Sequence, residues 1–237
     1  MTTETAILVS SAATVGVLHT LLGPDHYLPF VALGKAGAWS RRKTLVITML
    51  CGVGHVAGSV VLGLLGVALG LSLTRLEAFE ASRATLAAWG LILFGLLYLI
   101  WGLRKAVRGE THSHPHAHAD GTIHDHSHDH SGGHTHPHAT PEGARMTPWV
   151  LFIVFVFGPC EALIPLLMFP AATQSTGALL LVTGTFGAAT IGTMLAAVWL
   201  GLAGLERLPL AGLGRYAHAL AGATVLLCGV AIQFLGI

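Results

Sequence analysis

Long apolar runs separated by short polar connections make up most of this chain. Six stretches read as membrane crossings, at roughly 5–37, 44–72, 84–103, 147–170, 177–203 and 211–236. A run of about twenty apolar residues spans a bilayer as a helix. The first stretch is too long for one straight crossing and contains Gly23-Pro24; the fourth contains Gly158-Pro159. Proline removes a backbone donor and clashes with the preceding turn. The pattern therefore predicts an all-α, polytopic membrane protein in which helices 1 and 4 are broken.

Composition agrees. The 237 residues are 53% apolar and 10% charged, with a mean hydropathy of +0.71, whereas soluble domains carry about 25% charged residues. A net charge of +1 offers no basic surface for nucleic acid. The cysteines Cys51, Cys160 and Cys228 all lie in apolar runs, which argues against a disulfide framework. The opening MTTET has no Lys or Arg ahead of the first run, so that run is expected to be a retained span rather than a signal peptide. Lys35, Arg41, Arg42, Lys43, Arg104, Lys105, Arg108, Arg145, Arg207 and Arg215 fall on one side of the crossings, and Arg75 and Arg83 on the other. By the positive-inside rule the ten face the cytoplasm. That places the chain in the plasma (inner) membrane with both termini extracytoplasmic and the 104–146 connection inside.

The two Gly-Pro pairs stand 135 residues apart, and the offset extends further. Thr48, Gly52, Leu65, Gly66 and Ala68 match Thr183, Gly187, Leu200, Gly201 and Ala203. After a one-residue slip, Leu93-Phe94-Gly95 matches Leu227-Cys228-Gly229, and Gly102 matches Gly236. Three spans repeated must enter the membrane from opposite sides. The expectation is a 3+3 inverted-topology repeat, an architecture that places its site near the midplane. The organisation is 1–108 as the first three-span repeat, 109–146 as a cytoplasmic His-rich loop and 147–237 as the second repeat.

Directly after each Gly-Pro stands a carboxylate with a potential metal ligand: Asp25-His26 in one copy, Cys160-Glu161 in the other. Asp25 and Glu161 are the acidic residues that fall inside the crossings so drawn. In continuous helices the two prolines would free the carbonyls of Thr20 and Phe155. Such groups are tolerated at membrane depth only where they face protein, water or an ion, and ionisable residues there mark functional sites. His19, on the same segment as Asp25, and His55 of the second crossing are candidate neighbours. Imidazole, carboxylate and thiolate together suit a first-row transition metal. The candidate metal residues are thus Asp25, His26, Glu161, His19, His55 and Cys160, whereas His218 reads as interfacial.

Residues 109–146 change character. Eleven of the fifteen histidines lie there, at His112, His114, His116, His118, His124, His126, His128, His130, His134, His136 and His138. With almost no apolar residue, the segment is expected to be disordered without a ligand, and its composition signals metal capture.

His19-Thr20-Leu21-Leu22-Gly23-Pro24-Asp25-His26 resembles the histidine-plus-Asp-His signature of nickel/cobalt transporters, and Gly54-His55 resembles their second histidine motif. The His-rich loop between spans three and four is similar to that of the NicO/RcnA-like efflux branch. The layout is also similar to UreH-type membrane urease accessory proteins. Five residues separate His19 from Asp25, one more than in the signature, and one residue turns a helix by about 100°. The resemblance implies a non-enzymatic membrane transporter whose cargo is a divalent metal, Ni2+ or Co2+, with no cofactor of its own. It implies Asp25 and His26 as metal contacts, with His19 and His55 beside them, and export as the direction. Nickel uptake or delivery to metallo-enzyme maturation partners is the alternative. Gly158-Pro159-Cys160 resembles half of the paired motif of CcdA-like thiol-redox carriers, but the position matching Cys160 holds Asp25. Gly52, Gly58, Gly63 and Gly66 permit close helix packing, within one chain or between copies of a homo-oligomer.

Overall fold

The computed structural model describes residues 3–108, 112–117, 123–128, 143–158, 160–172, 175–207 and 211–236. Among the described residues eight α-helices carry the fold: α1 Thr3–Leu22, α2 Leu28–Ala36, α3 Arg41–Ala68, α4 Leu73–Arg108, α5 Gly143–Phe157, α6 Leu163–Ala172, α7 Thr176–Arg207 and α8 Ala217–Leu235. Five of them, α1, α3, α4, α7 and α8, are long and apolar enough to cross a membrane. Large apolar side chains such as Leu86, Leu181 and Leu227 cover their outer faces, as lipid contact requires.

The chain leaves α1 at Leu22, makes a 3-10 turn over Pro24–His26 and restarts as α2 at Leu28. In the fourth apolar stretch α5 ends at Phe157 and α6 begins at Leu163. Neither piece alone has the length of a crossing, which is why five long apolar helices stand where six crossings were expected.

The third crossing needs a correction. Its helix begins at Leu73 rather than near residue 84. Glu77, Glu80 and Arg83 dilute the hydropathy of its first turns, yet the helix runs through them and Glu80 is fully buried. Glu80 is therefore an acid within an apolar helix, whereas Asp25 and Glu161 lie in the turns between helices.

Glycines set the closest approaches. α4 and α8 lie side by side and antiparallel. A Cβ on Gly95 would overlap the backbone of Leu226, one on Gly222 the backbone of Leu99, and one on Gly229 would come within 2.8 Å of the nitrogen of Ile92. α1 packs on α7 through Gly16, against Phe186 and Ala189. α3 packs on α5 through Gly54, against Phe152 and Val156, and on α7 through Gly52, against Ile191 and Met194. Small residues let backbones approach where lipid gives no hydrophobic drive for association. A buried core of Phe30, Leu33, Leu151, Phe155, Met194 and Val198 fills the space between these contacts.

Within the His-rich segment, β1 His112–Ala117 pairs antiparallel with β2 Ile123–His128. An isolated two-stranded ribbon is marginal in water, and this one has few apolar residues to support it. The side chains of these strands, and His118, His130, His134, His136 and His138 entirely, lie outside the described residues.

Overfilling the α4–α8 seam should be costly. Gly222→Leu is expected to lower stability by about 1–3 kcal/mol or more, read as a lower thermal midpoint in detergent. Gly192→Ala, with open space around it, should leave the midpoint unchanged or raised.

Candidate metal centre

Three histidines from two segments meet where the first break crosses α3. The potential ligand atoms of His19, His26 and His55 all lie within 4.8 Å of one another. His19 comes from the last turn of α1, His26 from the 3-10 turn and His55 from the middle of α3. The extra residue between His19 and Asp25 does not turn His19 away, because the chain leaves helical geometry at Gly23. The His19 and His26 rings are 4.7 Å apart and the His26 and His55 rings 5.1 Å. Gly23 is needed for this turn, since a Cβ there would come within 2.6 Å of His26 Nδ1.

Backbone carbonyls fix the imidazole tautomers. His26 Nδ1 lies 3.1 Å from the Gly23 carbonyl and 3.2 Å from Asp25 Oδ1. His55 Nδ1 lies 3.3 Å from the Phe155 carbonyl. A carbonyl only accepts, so in each ring Nδ1 carries the proton and donates. That leaves lone pairs on His26 Nε2 and His55 Nε2, both buried and both without a partner among the described residues. Buried polar atoms are rarely left so. An imidazole held through one nitrogen with the other open is the usual arrangement of a metal ligand. Tetrahedral bonds of 2.0–2.1 Å need nitrogens about 3.3 Å apart, so a modest contraction of the three rings would complete the contact.

The other candidates take different places. Asp25 does not join the three-nitrogen group; its carboxylate holds His26 from behind, with its side chain 20% exposed. Cys160 is fully buried with Sγ 3.8 Å from His19 Nε2, within reach of a fourth position. Glu161 is exposed and stands on the wall of the same cavity, outside the histidine group. That cavity, about 490 Å³, is lined by His19, Asp25, His26, His55 and Glu161 among others. His218 sits apart, with Tyr98 Oη 2.9 Å from its Nδ1. All three cysteines are free and buried.

A charged clamp on α4 was missed in the sequence. Arg83 Nη1 donates to Glu80 Oε1 at 2.6 Å, and its Nη2 donates to the carbonyls of Val156 at 2.9 Å and Gly158 at 3.3 Å. Glu80 Oε2 accepts from the backbone N–H of Cys160 at 3.3 Å. One ion pair thereby satisfies backbone groups on both sides of the second break. Gly58 leaves room for it: a Cβ there would stand 2.8 Å from the Val156 carbonyl and 3.2 Å from Arg83 Nη2. The available signal was the i,i+3 spacing of Glu80 and Arg83 at the head of an apolar run.

No family model, no curated protein and no solved structure matches this chain.

The clamp makes a stability prediction. Glu80→Gln and Arg83→Met should each cost about 3–5 kcal/mol, because each strands a buried charge. The joint replacement Glu80→Leu with Arg83→Met should cost less than the sum. Thermal midpoints of the purified variants measure this; additive losses would show that the two charges do not act as a pair.

Proposed function

We propose that this protein is a membrane transporter whose cargo is a divalent transition metal, nickel or cobalt, passing through the histidine group at the broken helix. One observation carries the reading: three imidazoles converge where the turn after α1 meets the middle of α3, and two of them present buried, unpartnered Nε2 atoms. A purely structural histidine would spend both nitrogens on neighbours. Imidazole ligands suit nickel, cobalt, zinc and copper over magnesium or calcium. The resemblance of His19 to His26 and of Gly54-His55 to nickel/cobalt transporter motifs narrows the choice. His19, His26 and His55 would hold the ion, Cys160 would stand at the fourth position, and Asp25 would orient His26.

The same reading takes the architecture as a 3+3 inverted repeat with α1–α2 and α5–α6 as its two broken crossings. The 135-residue offset supports it. Leu28, where α2 starts, corresponds to Leu163, where α6 starts, and Arg41, the start of α3, corresponds to Thr176, the start of α7. With the one-residue slip, the Gly95–Leu226 approach becomes the Ile92–Gly229 approach. Contacts that map onto themselves when the halves are exchanged are the mark of a pseudo-twofold axis.

Export is the direction favoured by the His-rich connection, which the Lys and Arg distribution puts on the cytoplasmic side, where it would capture metal before release. Supply of imported nickel to a urease or similar enzyme is the competing reading. A thiol-redox role is disfavoured because Cys160 faces His19 rather than a second cysteine.

Metal accumulation in cells with and without the protein, across nickel, cobalt, zinc and manganese, tests identity and direction together. His26→Ala and His55→Ala should abolish the difference. Asp25→Asn, which keeps the ligands but loosens their orientation, should weaken metal affinity by about 10–100-fold. Normal nickel and cobalt movement in His26→Ala and His55→Ala would remove the site. Deleting 112–138 should reduce metal capture while the helices still fold.

A further inference from the structure

We infer that the cavity beside the histidines is the extracytoplasmic half of the cation path, and that the path is shut on the cytoplasmic side by an apolar layer latched through Arg41 and Glu206. The inference rests on the transporter reading for what passes through the cavity, but not for which side it opens to.

The lining residues decide the side. His55 is in the middle of α3, and the walls that rise from it are Ala84 and Ala87 in the first half of α4, Ile232 and Gly236 at the end of α8, and Glu161 before α6. α4 and α8 are antiparallel, so the first half of one and the end of the other lie at the same side. That side is the one of the α3–α4 connection, which carries few basic residues and is extracytoplasmic by the positive-inside rule. Two carboxylates, Asp25 and Glu161, face this space. Like-signed charge on low-dielectric walls concentrates cations in a cleft. Glu161 is thus placed to draw cations toward the histidines, or to receive them on release, without ligating at the centre.

The opposite side is closed. Phe155 floors the cavity, with its ring 6.3 Å from His26 and 4.8 Å from Phe30. Beneath it lie Leu33, Leu151, Met194 and Val198, all buried. At the far end Arg41, at the head of α3, binds Glu206, in the last turn of α7, with Nε 3.0 Å from Oε1 and Nη2 on Oε2. This bridge ties together helices that approach closely at Gly52 and Met194. The positions that correspond across the repeat are Thr176 and Leu71, which cannot form a charged pair. The latch is therefore one-sided, as a device that holds one face shut must be.

Thiol accessibility tests this without any metal. Single substitutions Ala87→Cys and Ile232→Cys mark the cavity, Val198→Cys marks the apolar layer, and Ser72→Cys and Ser40→Cys mark the two membrane faces. Intact cells and inverted vesicles are treated with a charged, membrane-impermeant maleimide. Ala87→Cys and Ile232→Cys are expected to react from the face that Ser72→Cys reports, and Val198→Cys from neither. Ser72→Cys reacting from the cytoplasm would overturn the orientation. Correct markers with Ala87→Cys and Ile232→Cys reacting from the Ser40 face, or only with an uncharged maleimide, would overturn the path. For the latch, Glu206→Gln should raise labelling of Val198→Cys from the cytoplasmic face by a factor of about two to five, the scale of an exposed ion pair. Exchanging the charges, Arg41→Glu with Glu206→Arg, should return it to the starting level. Unchanged labelling in Glu206→Gln, or no recovery in the exchange, would overturn the latch.

Discussion

Backbone amides and carbonyls cannot be left open among apolar helices, and this chain opens several on purpose. Each Gly-Pro pair stands within an apolar stretch, where an open backbone group needs a partner from protein, water or an ion. What the rest of the centre does is answer those groups. The Gly23 carbonyl accepts from the backbone N–H of His26, and His26 Nδ1 turns toward it as well. The Phe155 carbonyl accepts from the Gly158 N–H and from His55. Val156 and Gly158 are answered by Arg83, and the Cys160 N–H by Glu80. Repairing the backbone with histidines has a chemical by-product. It spends one imidazole nitrogen and aims the other at the centre.

The glycine seams serve the same end at larger scale. Close contacts at Gly16, Gly54 and Gly52 draw α1, α5 and α7 against α3 and its neighbours. His55 is thereby brought to the first break and the Phe155 carbonyl is brought to His55. The two breaks are not treated alike. Around the first, His26 answers the Gly23 carbonyl and is itself held by Asp25. Around the second, an ion pair from α4 joins His55 in answering the backbone. This asymmetry leaves unpartnered imidazole nitrogens at the first break and a charged clamp at the second. It also places the burial cost of Glu80 and Arg83 where each offsets the other and both meet backbone partners, the condition under which a buried pair is tolerated.

Much of this was readable in the chain. Apolar run length yields the crossing helices, and Gly23-Pro24 and Gly158-Pro159 mark where two apolar stretches are interrupted. His19, His26 and His55 could be singled out because histidine has no packing advantage over leucine in an apolar helix. Two things were hidden. The start of α4 was read too late, since hydropathy counts Glu77, Glu80 and Arg83 as polar whether or not they neutralise one another. Glu161 was grouped with the ligands because it follows a Gly-Pro pair as Asp25 does. In the fold it lines the same cavity as the three imidazoles without joining their group.

The sequence by itself determined that the chain is helical and apolar, that two apolar stretches carry a helix-breaking Gly-Pro pair, and which side chains could ligate a metal. These are local properties, set by run length, by the missing proline donor and by side-chain chemistry. Only the tertiary structure decided that three histidines from α1, the turn and α3 meet, that Arg83 reaches across to the second break, that Ala87 and Ile232 line the cavity beside the histidines, and that Arg41 grips Glu206. Those facts depend on which helix faces come together. That is settled by glycine contacts between segments tens to more than a hundred residues apart, and no local pattern records it.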